Sequence, residues 1–127
     1  MGGYTATIRE SSKELSVKER ISIKDTANAL SLDTLTTEQG HVRIDYAWHV
    51  VLDVHNERSE NKDYIKIVLV AKDGTKYVTG SKSFYDNLTT IVDEMSAAGE
   101  ADNIVLDVYR IESNNYKGKS FISVALI

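Results

Sequence analysis

From Val42 onward the chain alternates. Tyr46, Trp48, Val50, Leu52 and Val54 form an apolar row with His49, Asp53 and His55 between them, which predicts a strand with one face on a core. After the charged stretch 56–62, residues 64–70 predict a second strand. Ile65, Ile67 and Leu69 take one of its faces, and Tyr64, Lys66, Val68 and Val70 the other. Asp73-Gly74 is a hairpin signal, because glycine readily takes the positive φ such a turn demands. Its partner strand, 75–79, turns Lys76 and Val78 one way and Tyr77 and Thr79 the other. Ser83, three residues before Asp86, predicts a helix start. Phe84, Leu88, Ile91, Val92 and Met95 then share a face, and Gly99 is placed to end the helix. Two further strands, 103–111 and 121–127, flank a polar, basic turn.

The first forty residues are less regular. Tyr4 to Ile8 alternates over a short strand, and Ile21 and Ile23 alternate with Ser22 and Lys24, which predicts another over 19–24. For 25–40 two readings stand. Asp25 or Thr26 can cap a turn of helix through Ala27 to Leu30, while Leu30, Leu32 and Leu35 among Ser and Thr suit strand or loop equally. A β-rich extension over 1–41, packed on the main body, is the expectation.

Strand, strand, strand, helix, strand, strand is the element order of the OB-fold, a partly open five-stranded barrel. The fold class expected is therefore mainly β: an OB-like barrel over 42–127 with one helix between its third and fourth strands, plus the extension. With 127 residues, 42% of them apolar, the chain suits one domain. No run approaches the ~18 apolar residues of a spanning helix, so no membrane partner is expected. The N-terminus has no basic region followed by an apolar block, and the chain has no cysteine. Both fit the reducing cytoplasm of a cell.

Charge changes the picture through its distribution. The formal net charge is −4, which opposes binding to phosphates, but residues 61–83 carry five basic and two acidic groups, and 109–127 three and one. Between them, 84–108 carries six acidic groups and no basic one. OB-folds bind oligonucleotides or oligosaccharides on strands 2 and 3 and on the loops joining strands 1 to 2 and 4 to 5. These are 56–79 and 112–120, which coincide with the two positive segments. Single strands are held by cations that track phosphates and by aromatic rings on which bases stack, at about 1–3 kcal/mol per base. Candidate stacking residues are Tyr64, Tyr77, Tyr109 and Tyr116. Candidate phosphate contacts are Lys66, Lys76, Lys82, Arg110, Lys117 and Lys119. Each of these tyrosines also suits a sheet position half covering the core, and each lysine a solvated strand edge. Trp48 continues the row Val50, Leu52, Val54 and reads as core, with stacking as the alternative.

Short pieces along most of the chain resemble single-stranded DNA-binding proteins of tailed phages of Gram-positive bacteria. They are Ser12-Lys13-Glu14-Leu15-Ser16, Lys18-Glu19-Arg20, Lys24-Asp25-Thr26, Lys76-Tyr77-Val78-Thr79-Gly80-Ser81, Ser83-Phe84, Asp93-Glu94-Met95, and Ser113-Asn114-Asn115-Tyr116-Lys117-Gly118-Lys119-Ser120-Phe121. The resemblance implies an OB-fold protein that coats and protects single-stranded DNA during phage replication or recombination, in the cytoplasm of the bacterial host. Unlike the bacterial proteins of this kind, the chain ends Ser-Val-Ala-Leu-Ile, so recruitment of partners through an acidic tail is not expected. Replication or recombination proteins, and a second copy joined at open sheet edges, are the remaining partners the sequence allows.

Enzyme readings find little. The chain has no Gly-x-Ser-x-Gly elbow, no Gly-x-x-x-x-Gly-Lys loop and no His-Glu-x-x-His. His41, Asp45 and His49, spaced by four, would spread over ~26 Å of strand, too far apart for one metal. Asp53 and His55 share a face and suit a solvated ion pair. No catalytic residue, metal or cofactor is expected. The competing class is a non-enzymatic interaction module, an inhibitor of a host factor or defence protein, that uses the acidic block from Asp86 to Asp107.

Overall fold

The computed structural model describes residues 4–25, 28–58, 60, 62–112 and 120–127. Among these it has seven strands and three helices: β1 Tyr4–Ser11, α1 Val17–Lys24, β2 Leu30–Ser31, α2 Leu32–Gln39, β3 His41–Asn56, β4 Asp63–Ala71, β5 Lys76–Thr79, α3 Lys82–Ala97, β6 Val105–Glu112 and β7 Ser120–Leu126. The sheet runs β2-β5-β4-β3-β6-β7, with β1 also on β3, and curls into a half-barrel. From β3 onward the element order is the expected one. The strand count and the two additional helices differ from a bare five-stranded barrel with one helix.

β3 organises the sheet because it is long enough, at 16 residues, to serve three neighbours. His41–Asp45 pairs with β6, residues 46–55 pair with β4, and 50–56 pair with β1. The register slips between Tyr46 and Trp48 on the β4 side. That slip corrects the single apolar row read from the sequence. Trp48, Val50, Leu52 and Val54 belong to one core cluster, whereas Tyr46 belongs to the other. A bulge of this kind sends side chains on its two sides to opposite faces. Tyr46 is 3% exposed, and its hydroxyl lies 2.6 Å from Nδ1 of buried His49.

The larger core fills the concave side of the sheet, here the inner face. Val51, Ile67, Leu69, Leu106 and Ile122 from the strands meet Phe84 and Leu88 of α3 and Leu32 of α2. Helix α3 starts two residues earlier than predicted. Ser81, not Ser83, is its N-cap, accepting from the Phe84 amide at 3.2 Å, and Gly99 (φ +76°) follows its last turn as expected. The smaller core lies on the outer face, where Val50, Leu52, Val54, Val68 and Val70 are covered by Ile23.

Ile23 belongs to the main correction. Residues 19–24 are not a strand but most of α1. Ser16 accepts from the Glu19 amide at 3.2 Å while the Glu19 carboxylate accepts from the Ser16 amide at 2.9 Å. This reciprocal capping box nucleates a helix, and two alternating isoleucines are too short a pattern to outweigh it. On the helix they diverge: Ile23 is 1% exposed and Ile21 69%. The undecided stretch 25–40 contains a second helix, α2, capped by Ser31 and ended by Gly40 at φ +82°. Leu30 lies in β2, parallel to β5. Thr26 and Ala27 lie outside the described residues.

Candidate nucleic-acid interface

The outer face of β4 carries Tyr64 and Lys66, two residues apart and both half-buried. Tyr64 packs on the edge of the outer core, beside Val54, its Cα partner across the β3–β4 ladder. The sheet therefore fixes the ring from beneath and leaves part of it to solvent. Alternation continues this face through Val68 to Val70, ~20 Å along the strand. Val68 and Val70 are themselves buried, in one cluster with Ile23 of α1.

Helix α1 crosses this face and divides it. Lys76, on the same side of β5, donates from Nζ to the Ser22 carbonyl at 2.9 Å and the Asp25 carbonyl at 3.2 Å. These are carbonyls at the C-terminal end of α1, where a cation satisfies unpaired acceptors and the helix dipole together. Lys76 thus anchors α1 to the sheet. Arg110 is similarly engaged. Its guanidinium donates to the Ser120 hydroxyl at 2.9 Å and the Asp33 carbonyl at 3.2 Å, and its Nε is buried with no partner among the described residues.

The other candidates are spread over the molecule. Tyr77 points to the inner side, against the larger core, and burial raises its hydroxyl pKa, aided by nearby Asp73. It therefore shares no sheet face with Tyr64. Tyr109 stacks on His41 with ring centroids 5.6 Å apart, and His41 Nδ1 lies 3.0 Å from Asp107. Lys82 opens α3 and lines a cavity of about 170 Å³ with Arg9, Glu10 and Tyr85. Tyr116, Lys117 and Lys119 lie outside the described residues.

The two acidic–basic readings of β3 resolve differently. Asp53 and His55 do not pair with each other. Asp53 meets Arg9 at 3.4 Å, while His55 is held between Asp63 and Glu57, at 2.7 Å each. Those two hydrogen bonds, Asp63 first, raise the His55 pKa. Burial instead lowers that of His49 and pushes Tyr46 up to about 12. Among the described residues no group of three His, Cys, Asp or Glu could hold a metal, and no helix is long and apolar enough to cross a membrane.

Comparison with known proteins decides the family. The model of the phage single-stranded DNA-binding protein family matches residues 5–127. The chain belongs to that family. No curated protein and no solved structure matches significantly. The match begins in β1 and so includes the segment the sequence reading set aside as an extension. In this family member, β1 and α1 form part of the β3–β4 surface.

Sequence reasoning missed Lys13 and Lys18 as basic groups beside that surface, because the acidic balance of the first forty residues hid them. The capping box Ser16-x-x-Glu19 was the available signal: it predicts a helix, and a helix next to an exposed sheet face has to pack on something.

Proposed function

We propose that this protein binds single-stranded DNA with little sequence preference through an OB-like barrel. It coats and protects single strands during phage replication or recombination in the host cytoplasm, without catalysing a reaction. The observation that carries this reading is the family match over 5–127. The strand order β5-β4-β3-β6-β7 supports the barrel, since a long first strand between the second and the fourth is the OB arrangement. Tyr64 and Lys66 on β4 provide the core of the interface, and Tyr116, Lys117 and Lys119 of segment 112–120 contribute further stacking and phosphate contacts. Lys82, Tyr77 and Tyr109 lie further from this path, and Lys76 and Arg110 act by positioning α1 and α2 around it.

Fluorescence anisotropy of a labelled oligo-dT strand, titrated at low and high salt, tests the reading. Micromolar or tighter binding that weakens steeply with salt is expected, because each phosphate contact on a single strand contributes about 0.7 to the logarithmic salt slope. Replacing Lys117 and Lys119 together by Ala lowers that slope by about 1.4. Absence of binding at low salt overturns the proposal.

A further inference from the structure

At the end of the outer face away from Tyr64, α1 and the β4–β5 turn enclose an open slot of about 230 Å³. Its apolar walls are Trp48, Ile23 and Val70, and Lys18, Glu19 and Lys76 lie at its rim. The volume is below the roughly 300 Å³ at which sites for drug-sized ligands begin, so the slot suits one flat ring system. Trp48 is half-buried, packed on the outer core rather than within it, and Lys13 Nζ stands 5.2 Å from its ring centroid. The sequence reading of Trp48 as core is therefore only half of its environment.

Charge decides what kind of ring fits. Glu19 is the one carboxylate on the slot, and it is bound to Lys13 at 2.7 Å, a hydrogen bond that lowers its pKa. Lys76 is occupied by the end of α1. Lys18 has no hydrogen-bond or ion-pair partner among the described residues. Three ammonium groups around one neutralised carboxylate attract an anion, and an indole with apolar neighbours accepts an aromatic ring. A nucleotide combines both properties, whereas an apolar peptide side chain would leave Lys18 unused.

We infer that the slot between α1 and β4 is a base-binding subsite, in which one nucleobase of a bound single strand stacks on Trp48 and its phosphate meets Lys18. This rests on the single-stranded DNA reading above and extends it to a residue outside the Tyr64 patch. The strand then passes from Tyr64 and Lys66 over α1, which covers the buried Val50, Leu52 and Val68 between them, to Trp48. Stacking requires no base-specific hydrogen bond, so the subsite accepts any base.

Trp48 is the only tryptophan of the chain, so its emission reports on this slot alone. Oligo-dT is titrated into the intact protein while oligonucleotide anisotropy and tryptophan emission are recorded together. The expected result is quenching that follows the anisotropy, with an affinity loss of about 5- to 150-fold in Trp48→Leu, the range spanned by one stacked base. Trp48→Phe retains most of the affinity, since it keeps a ring. Lys18→Ala, a surface change that leaves the wall intact, keeps the quenching and lowers the logarithmic salt slope by about 0.7. Binding without any change in emission, together with unaltered affinity in Trp48→Leu, overturns the subsite and leaves the DNA-binding function standing. That outcome would assign the slot to another occupant, such as an apolar side chain of a protein partner. Equal quenching by an oligonucleotide of abasic sites also overturns it. Loss of anisotropy change in the wild-type protein overturns subsite and function together.

Discussion

The two faces of the β3–β4 ladder are built from similar residues and covered very differently. The inner face, with Val51, Ile67 and Leu69, is sealed by Phe84 and Leu88 of α3 and Leu32 of α2, all 0% exposed. On the outer face, Val50, Leu52, Val68 and Val70 are covered by an eight-residue helix that commits one buried side chain, Ile23, to the task, with half-buried Leu15 from the segment before it. The difference separates two jobs. A face closed by large side chains from two helices provides stability, whereas a face closed by one short helix and its leading segment leaves aromatic edges at both ends. Tyr64 and Trp48 are those edges.

Substitutions should expose the contrast, beginning with the inner face. Phe84→Ala removes a fully buried ring and should cost about 3–5 kcal/mol, a large part of the stability of a small domain, read from the urea midpoint at constant m-value. Ile23→Ala is expected near the lower end of the 2–5 kcal/mol range, because its cover is a short helix that can settle inward. A cost equal to that of Phe84→Ala would mean the outer face is as tightly sealed as the inner one. Ser16→Ala removes half of the capping box and should cost about 1 kcal/mol, measured by the same unfolding curve.

The smallest effects are electrostatic. His55 and His49 have the same ordinary pKa of 6.5 and are driven in opposite directions, His55 upward by Asp63 and Glu57 and His49 downward by burial. A proton NMR titration should therefore give a midpoint above 6.5 for His55 and below 6.5 for His49. Since the folded pKa of His55 is raised, its contribution to stability is fully present below pH 6.5 and is lost as pH rises through the folded value. His55→Gln should flatten that part of the stability profile. Coinciding midpoints for the two histidines would contradict the environments described here.

The comparison also explains which parts of the fold were legible from sequence. Strands β3 to β5 and helix α3 were readable because their apolar positions repeat over several turns or pleats. Register was not: nothing in Tyr46-Ala47-Trp48 announces the slip that sends Tyr46 inward and Trp48 outward. The fate of charged groups was hidden for a different reason. Lys76 and Arg110 look like phosphate contacts when counted along the chain, yet each is held by a carbonyl more than 50 residues away, in α1 and α2 respectively. A charge tally records that a cation is present and has no access to what the fold has already given it. Tyr64 and Lys66 were legible as a pair because period two alone places them together.

β3 has a consequence in time as well as in space. Ile8 pairs with Leu52, and His41 with Tyr109, so the strand that joins the sheet's two halves waits for partners far along the chain on both sides. Contacts of such separation are closed late, and folds dominated by them form in milliseconds to seconds rather than microseconds. During synthesis β1, β3 and β4 can assemble early, but the first five residues of β3 stay unpaired until β6 has left the ribosome. For that interval the growing chain exposes a bare strand edge, and the time taken to translate from the end of β3 through β6 sets how long the exposure lasts.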